Sequence, residues 1–492
     1  MPKLSKSSWL YIFCGLFLTI VSVGIFLERF EVLLIPFILL LVYLAVFHLN
    51  ILYLSLIVLT PLSINIADIG MGVGLSIPTD PILVGLLLFV IFKTIYNDGF
   101  DKQVLLHPIS VLLLIQLGWT LICSFTSSFP LISIKYFSSQ LWFIATFYFI
   151  ATQVFKKLSN VPKLFWLYII PFCAVIAYTL TLHSQHGFDQ KSGNWVMNPF
   201  YSDHTSYGAA LAFFFPFLVG ISFGKKYKGT IIQPFIFFIL LYFCIALIFS
   251  YTRAAWLSLA AGLVVFFILK LKIKWQVITI VILSLLVTAK IMEDDIRDYF
   301  MKNKVASSTD INKHIKSMSN VSSDASNKER INRWKSGFQM FKERPVFGWG
   351  PGTYSLNYAG FQMSGDKTII STNSGDMGNA HSEYIGPLSE GGLPALIIVL
   401  ILFINIISTG VRVYKKSTTW HFRFYSMTCL IGLITYIIHG FLNNFLDTDK
   451  ITAPFYGMTA ILVVLDLYQK GKYPREKIDE QLLVIEKKQT ST

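Results

Sequence analysis

Charge is scarce in this chain. Asp, Glu, Lys and Arg make up 14% of its 492 residues, against roughly 25% in soluble domains. Hydrophobic residues fill 54% of it. Together these exclude a protein solvated mainly by water and point to one solvated by lipid. Acidic residues are the scarcer sign, 27 against 41 Lys and Arg, for a net charge of +14. That excess does not indicate a nucleic-acid partner. Much of the Lys and Arg sits in short loops between apolar runs and in the tail, where it sets membrane topology. Cysteine is sparse too. Cys14, Cys123, Cys173, Cys244 and Cys429 all lie inside apolar runs. They form no CxxC pair, which leaves packing as their role. No His/Cys cluster has metal-ligand spacing, so neither a metal nor another cofactor is expected.

What the chain has instead is long apolar runs. A bilayer span takes about 20 such residues. Runs of that kind stand near 9–27, 32–48, 50–66, 81–97, 108–126, 135–154, 163–182, 204–224, 230–250, 252–270, 274–290, 386–409, 424–442 and 452–469. They predict an all-α polytopic membrane protein with about 12–14 transmembrane helices. The uncertainty in the count comes mainly from 32–48 and 50–66, which only His48 and Asn50 separate. The first run follows Lys3 and Lys6 without a small-residue cleavage site and reads as a retained span.

Basic clusters orient the spans. Lys3/Lys6, Lys156/Lys157/Lys163, Lys225/Lys226/Lys228, Lys270/Lys272/Lys274, Arg412/Lys415/Lys416/Arg423 and the Lys-rich tail all fall on one side, which the positive-inside rule makes cytoplasmic. Alternation then places the 67–80, 183–203, 291–382 and 443–451 loops and the Ser250–Arg253 turn outside. The expected organisation is an N-terminal bundle over 1–229, further spans over 230–290, an outer loop over 291–385, closing spans over 386–469 and a tail over 470–492.

The outer loop is too long for a plain connector. Asn303 to Asn327, rich in Ser, Asn and Lys, reads as mobile. Glu329 to Glu343 fits an amphipathic helix with Ile331, Trp334, Phe338 and Phe341 as its apolar stripe. Arg330 and Arg333, three apart, share a face beside that stripe. Pro345 stops the helix, and Gly348-Trp349-Gly350-Pro351-Gly352 makes a tight turn.

Several residues in the outer segments carry chemistry. His381 stands just before the run beginning near Ile385, and its type suits proton removal at neutral pH. For a lone His the plainer reading is an interfacial polar residue. Glu383 or Glu390 is placed to orient the imidazole, and Glu390 lies within a span, where ionisable groups are costly. Arg253 opens a span with no acid nearby. It is either a snorkelling anchor or, as a planar fork, a phosphate ligand. Arg330 and Arg333 offer the same chemistry or a solvated face. Asp203 reads as a helix cap, with His204 beside it as a possible lining of a substrate entrance. Asn443, Asn444, Asp447 and Asp449 form a polar patch that is either a solvated turn or a sugar-hydroxyl site. Trp195, Trp334, Trp349 and Tyr354 are interface anchors or sugar-stacking faces.

Three motifs occur in order. Ser250/Arg253/Trp256 comes first, then Arg330/Trp334/Pro345/Gly348/Gly350/Pro351/Gly352, then His381/Ser382/Glu390/Gly391/Gly392. Over about 230–410 this set resembles the O-antigen ligase/polymerase family. The N-terminal half matches only in being a bundle of spans. The resemblance implies a bacterial inner-membrane glycosyltransferase of lipopolysaccharide biosynthesis, working on the periplasmic side without a metal. Its implied donor is a glycan on undecaprenyl pyrophosphate. Its implied acceptor is a hydroxyl of lipid A-core (a ligase), of a growing glycan (a polymerase) or of a protein Ser/Thr (an O-oligosaccharyltransferase). His381 is then the implied general base. Arg253 and Arg330, with Arg333 as an alternative, are the implied pyrophosphate ligands. Ser382 departs from the family pattern, which often has Asn there. A transporter of lipid-linked glycan is the rival from another class. It would need polar groups and broken helices at the bilayer midplane, whereas these candidates cluster at one outer face.

Overall fold

The computed structural model describes residues 6–29, 34–66, 74–96, 99–224, 227–291, 325–367, 371 and 378–473. The stretch expected to be mobile lies outside them up to residue 324, and so does the tail after Tyr473. The fold is all-α and polytopic. Each apolar run named above falls on a helix, from Lys6–Phe26 to Asp449–Gln469. Among the described residues, nine helices are long and apolar enough to cross a membrane. The two runs around position 48 are separate helices, because His48 leaves the helical region at φ −137°, ψ 43°. The 135–154 run passes through a π-helical segment, Ile144–Ile150, and the described strands are one two-residue pair, Ile64–Asn65 against Ser76–Ile77.

The last two helices form the core. Trp420–His439 is 83% buried along its apolar window and Asp449–Gln469 is 100% buried. His204–Ser222, Arg253–Lys270 and Ile385–Lys416 pack on the former. Small residues allow the close approach, as in membrane bundles generally. A Cβ at Gly432 would press on the Phe213 carbonyl and Met458, and one at Gly410 on Leu430.

The two ends of this bundle differ. At one end Asp466 takes bonds from Arg412 (2.9 and 3.1 Å), Lys470 (2.7 Å) and the His107 imidazole (3.2 Å). Lys156 pairs with Asp101 there at 2.6 Å. The other end gathers the starts of the His204, Arg253, Ile385 and Asp449 helices with the end of the Trp420–His439 helix.

The loop helix runs over Ala325–Glu343, but its buried face is not the apolar stripe. Glu329, Asn332, Arg333, Ser336 and Met340 face the protein, while Phe338 is 48% exposed. The reason is polar pairing within the loop. Glu329 and Arg333 form an ion pair, and Asn332 donates to Gln362 Oε1 at 2.8 Å. Gly337 lets the helix settle on Ile385. Ile331, Trp334 and Phe341 are left half-buried.

Candidate active site

His381 sits in the short turn between the loop and the Ile385–Lys416 helix. Its backbone is left-handed, at φ +46°, which is uncommon for a residue with a side chain and typical of functional positions. The turn is held from three directions. The His381 N–H donates to Asn379 Oδ1 at 3.1 Å. Arg333 Nη1 donates to the Asn379 carbonyl at 3.0 Å. Glu383 N–H donates to the Gly440 carbonyl at 2.8 Å. Ser382 Oγ accepts from the N–H groups of Tyr384 (3.3 Å) and Ile385 (3.4 Å) and so opens the following helix.

Burial pushes the His381 pKa down to about 3, and the Arg333 and Arg330 guanidinium groups push the same way, while Asp203 and Glu329 oppose them. The imidazole is therefore neutral and faces positive charge. Among the described residues, no side chain hydrogen-bonds it.

The two loop arginines differ. Arg333 is 6% exposed. Its Nε donates to Glu329 Oε1 at 2.9 Å, and its guanidinium lies 5.3 Å from the Tyr358 ring centroid. Arg330 is half-buried and donates from Nε to the Leu442 carbonyl at 3.2 Å. Arg253 is the first residue of its helix and is also half-buried. Thr252 beside it donates to the His204 carbonyl at 2.6 Å, and Tyr251 is left-handed at φ +50°. Asp203 caps the His204–Ser222 helix, accepting from Ser206 N–H at 2.7 Å, and its carboxylate also acts on His381. Arg330, Arg333, Asp203 and His381 thus share one electrostatic environment, and Arg253 follows Thr252, which bonds the first residue of the helix that Asp203 caps.

Glu383 and Glu390 are placed otherwise than the spacing suggests. Glu383 accepts from the Tyr436 hydroxyl and from the N–H groups of Phe445 (2.9 Å) and Leu446 (3.0 Å). Burial raises its pKa to about 7 against those three bonds. Glu390 accepts from Tyr354 N–H at 2.8 Å and so holds the Gly/Pro turn. Both carboxylates tie down loops instead of bonding the imidazole. Trp349 and Tyr354 serve the same packing. Trp349 donates to Met340 O at 3.0 Å, and Tyr354 donates to Arg333 O at 2.6 Å.

Reading the sequence missed His439, which is buried at the end of its helix, with Nε2 3.0 Å from Asn443 Nδ2 and Nδ1 without a partner. The available signal was a histidine closing an apolar run. The polar patch of Asn443, Asn444, Asp447 and Asp449 is divided. The structure gives Asp449 to Ser63 and Thr79 and leaves Asp447 lining a cavity. Among the described residues no three His, Cys, Asp or Glu side chains are grouped to hold a metal.

The apolar helices define a multi-pass membrane protein. The family described as O-Antigen ligase matches residues 236–400, a stretch that contains Arg253, Arg330, Arg333, His381, Glu383 and Glu390. Over that stretch, about a third of the chain, the protein is similar to that family. Asp203, His204 and His439 lie outside the match. No curated protein matches the chain.

Proposed function

We propose that this protein is a metal-independent, inverting glycosyltransferase that moves a glycan from undecaprenyl pyrophosphate to an acceptor hydroxyl at the periplasmic face of a bacterial inner membrane. Lipid A-core is the favoured acceptor, which makes the protein an O-antigen ligase. A growing polysaccharide or a protein Ser/Thr is the alternative.

The observation that carries this reading is the neutral imidazole of His381 facing two guanidinium groups. Arg253 and Arg330 hold the pyrophosphate. Arg333, already spent on Glu329 and the Asn379 carbonyl, holds the His381 turn. The acceptor oxygen attacks the anomeric carbon and its proton passes to His381. The bond from that carbon to the phosphate oxygen breaks, and the pyrophosphate leaves with the electron pair. Negative charge grows on the leaving group, where the arginines stabilise it. The donor's charge also offsets the arginine field, which lifts the His381 pKa towards the range useful for a base. The imidazole thus becomes a stronger base when a substrate is bound.

The test is transfer by purified protein, supplied with an undecaprenyl-pyrophosphate glycan and each acceptor in turn. A general base is worth about 10²–10⁴-fold, so His381→Ala should abolish detectable product while the protein still folds. Wild-type transfer by that variant would refute the assignment.

A further inference from the structure

Behind the His381 turn lies a cavity of about 280 Å³. Asn379, Ser382 and Glu383, which flank His381, line it. So do Gln116, Tyr136, Glu390, Asn444 and Asp447. Its lining includes no Lys or Arg. Two of its amide oxygens, Gln116 Oε1 and Asn444 Oδ1, are buried and have no hydrogen-bond partner. Buried polar atoms in native proteins are nearly always paired, so each orphan calls for an explanation. Here both lie with three carboxyl groups around one space, and the two orphan oxygens are acceptors. Trp119 adds an aromatic wall, fixed by its Nε1 bond to the Gly391 carbonyl (2.8 Å) and by stacking on Phe347.

The complement of such a lining is a compact group that presents hydroxyl or amine donors and carries no negative charge. The volume lies near the lower end of small-molecule clefts, about 300 Å³, and suits one sugar ring better than a chain. We infer that this cavity binds a single neutral or amine-bearing sugar unit of the donor or acceptor glycan, and that it rejects uronic acids and phosphate. The pyrophosphate then stays on the arginine side of the His381 turn and the sugar on the carboxylate side. This inference rests on the glycosyl-transfer reading for its biological meaning, but its binding test does not.

The test is saturation-transfer NMR on the full chain in detergent. The probes are methyl glycosides of glucose, galactose and mannose, their amino-sugar counterparts, and methyl glucuronide. At least one neutral or amino sugar should give a signal, and glucuronide should give none. The signal should fall at least about fivefold, a loss in keeping with removal of buried bonds to a ligand, in the Asp447→Asn/Gln116→Leu double variant. Asp447→Asn alone is isosteric and lies at an exposed position, so it carries the test if the double variant misfolds. Equal or stronger binding of glucuronide, an undiminished signal in the variants, or silence from every sugar would overturn the proposal. In transfer assays Asp447→Asn should raise KM for either donor or acceptor, and the substrate affected identifies whose sugar sits there. An unchanged KM for both would also overturn it. His381→Ala should bind sugar like the wild type without transferring. Sugar binding by a wild-type protein that transfers nothing would sink the transferase reading and leave this site standing.

Discussion

Arg333 and Glu329, one turn apart on the loop helix, form an ion pair of 2.9 Å with both side chains under a tenth exposed. Removing one partner of a buried pair strands the other charge and typically costs about 3–5 kcal/mol. Arg333→Ala should therefore lower the melting temperature markedly. Glu329→Gln in the same background should recover part of the loss. An unchanged melting temperature in the single variant would contradict this placement.

Arg330→Ala should behave differently. Its Nε donates to the Leu442 carbonyl at 3.2 Å, a neutral partner. The variant should fold. Transfer should drop by about 10²–10³-fold, the usual loss when one donor to developing charge is removed. Activity per folded molecule is the quantity to measure, with Arg333→Ala alongside.

The depressed His381 pKa has a signature in stability. It lies near 3 in the folded protein, against about 6.5 for an unperturbed histidine. As pH falls below about 6.5, the unfolded chain takes up the proton first. The stabilisation is thus complete above that pH and is lost between about 6.5 and about 3, at up to ~1.4 kcal/mol per pH unit. His381→Gln should flatten the decline in melting temperature between about pH 6.5 and about pH 4. Parallel declines in the two proteins would show that His381 is not held neutral.

The turn after the loop helix holds three left-handed glycines, Gly348, Gly350 and Gly352, and the first two are the most crowded. Gly348 has φ +64° and Gly350 φ +109°. A Cβ on Gly348 would overlap the Glu390 backbone, and one on Gly350 would overlap the Ser127 side chain. Gly348→Ala and Gly350→Ala should each destabilise the protein by about 1–3 kcal/mol from backbone strain alone, with overlap adding to it. Thermal melts decide this. A substitution at Gly360, where the added Cβ meets nothing within 4 Å, is the control.

At the far end, Asp466 is the shared partner of Arg412, Lys470 and His107. Asp466→Asn should reduce the yield of folded protein while leaving transfer per folded molecule close to normal. A selective loss of transfer would mean that this end is coupled to the chemistry.

The helices and their ends were legible because apolar runs and proline/glycine stops are local signals. So was the order of Arg253, Arg330 and His381 along the chain. The partners of Glu383 and Glu390 were not. Glu383 bonds residues 53 to 63 positions away, and Glu390 one 36 away, distances that no periodicity encodes. The loop helix was legible, but not the side it buries. The partners of Asn332 and Arg333 there, Gln362 and the Asn379 carbonyl, come from later in the chain. His439 was hidden by its apolar neighbours. Asp203 shows the reverse case, since a cap is read from one helix start and the structure puts one there.

The fully enclosed position of Asp449–Gln469 constrains the order of assembly. Among the described helices this one comes last in the chain, yet the Trp420–His439, Ile385–Lys416, His204–Ser222 and Val161–Gln185 helices and the 130–155 segment all close around it. The earlier spans must wait in the bilayer as an open sheath, and the arginine–histidine end can come together only when this central post slides in. A chain stopped before Asp449 would carry all the residues of the proposed chemistry and still lack the axis that aligns them.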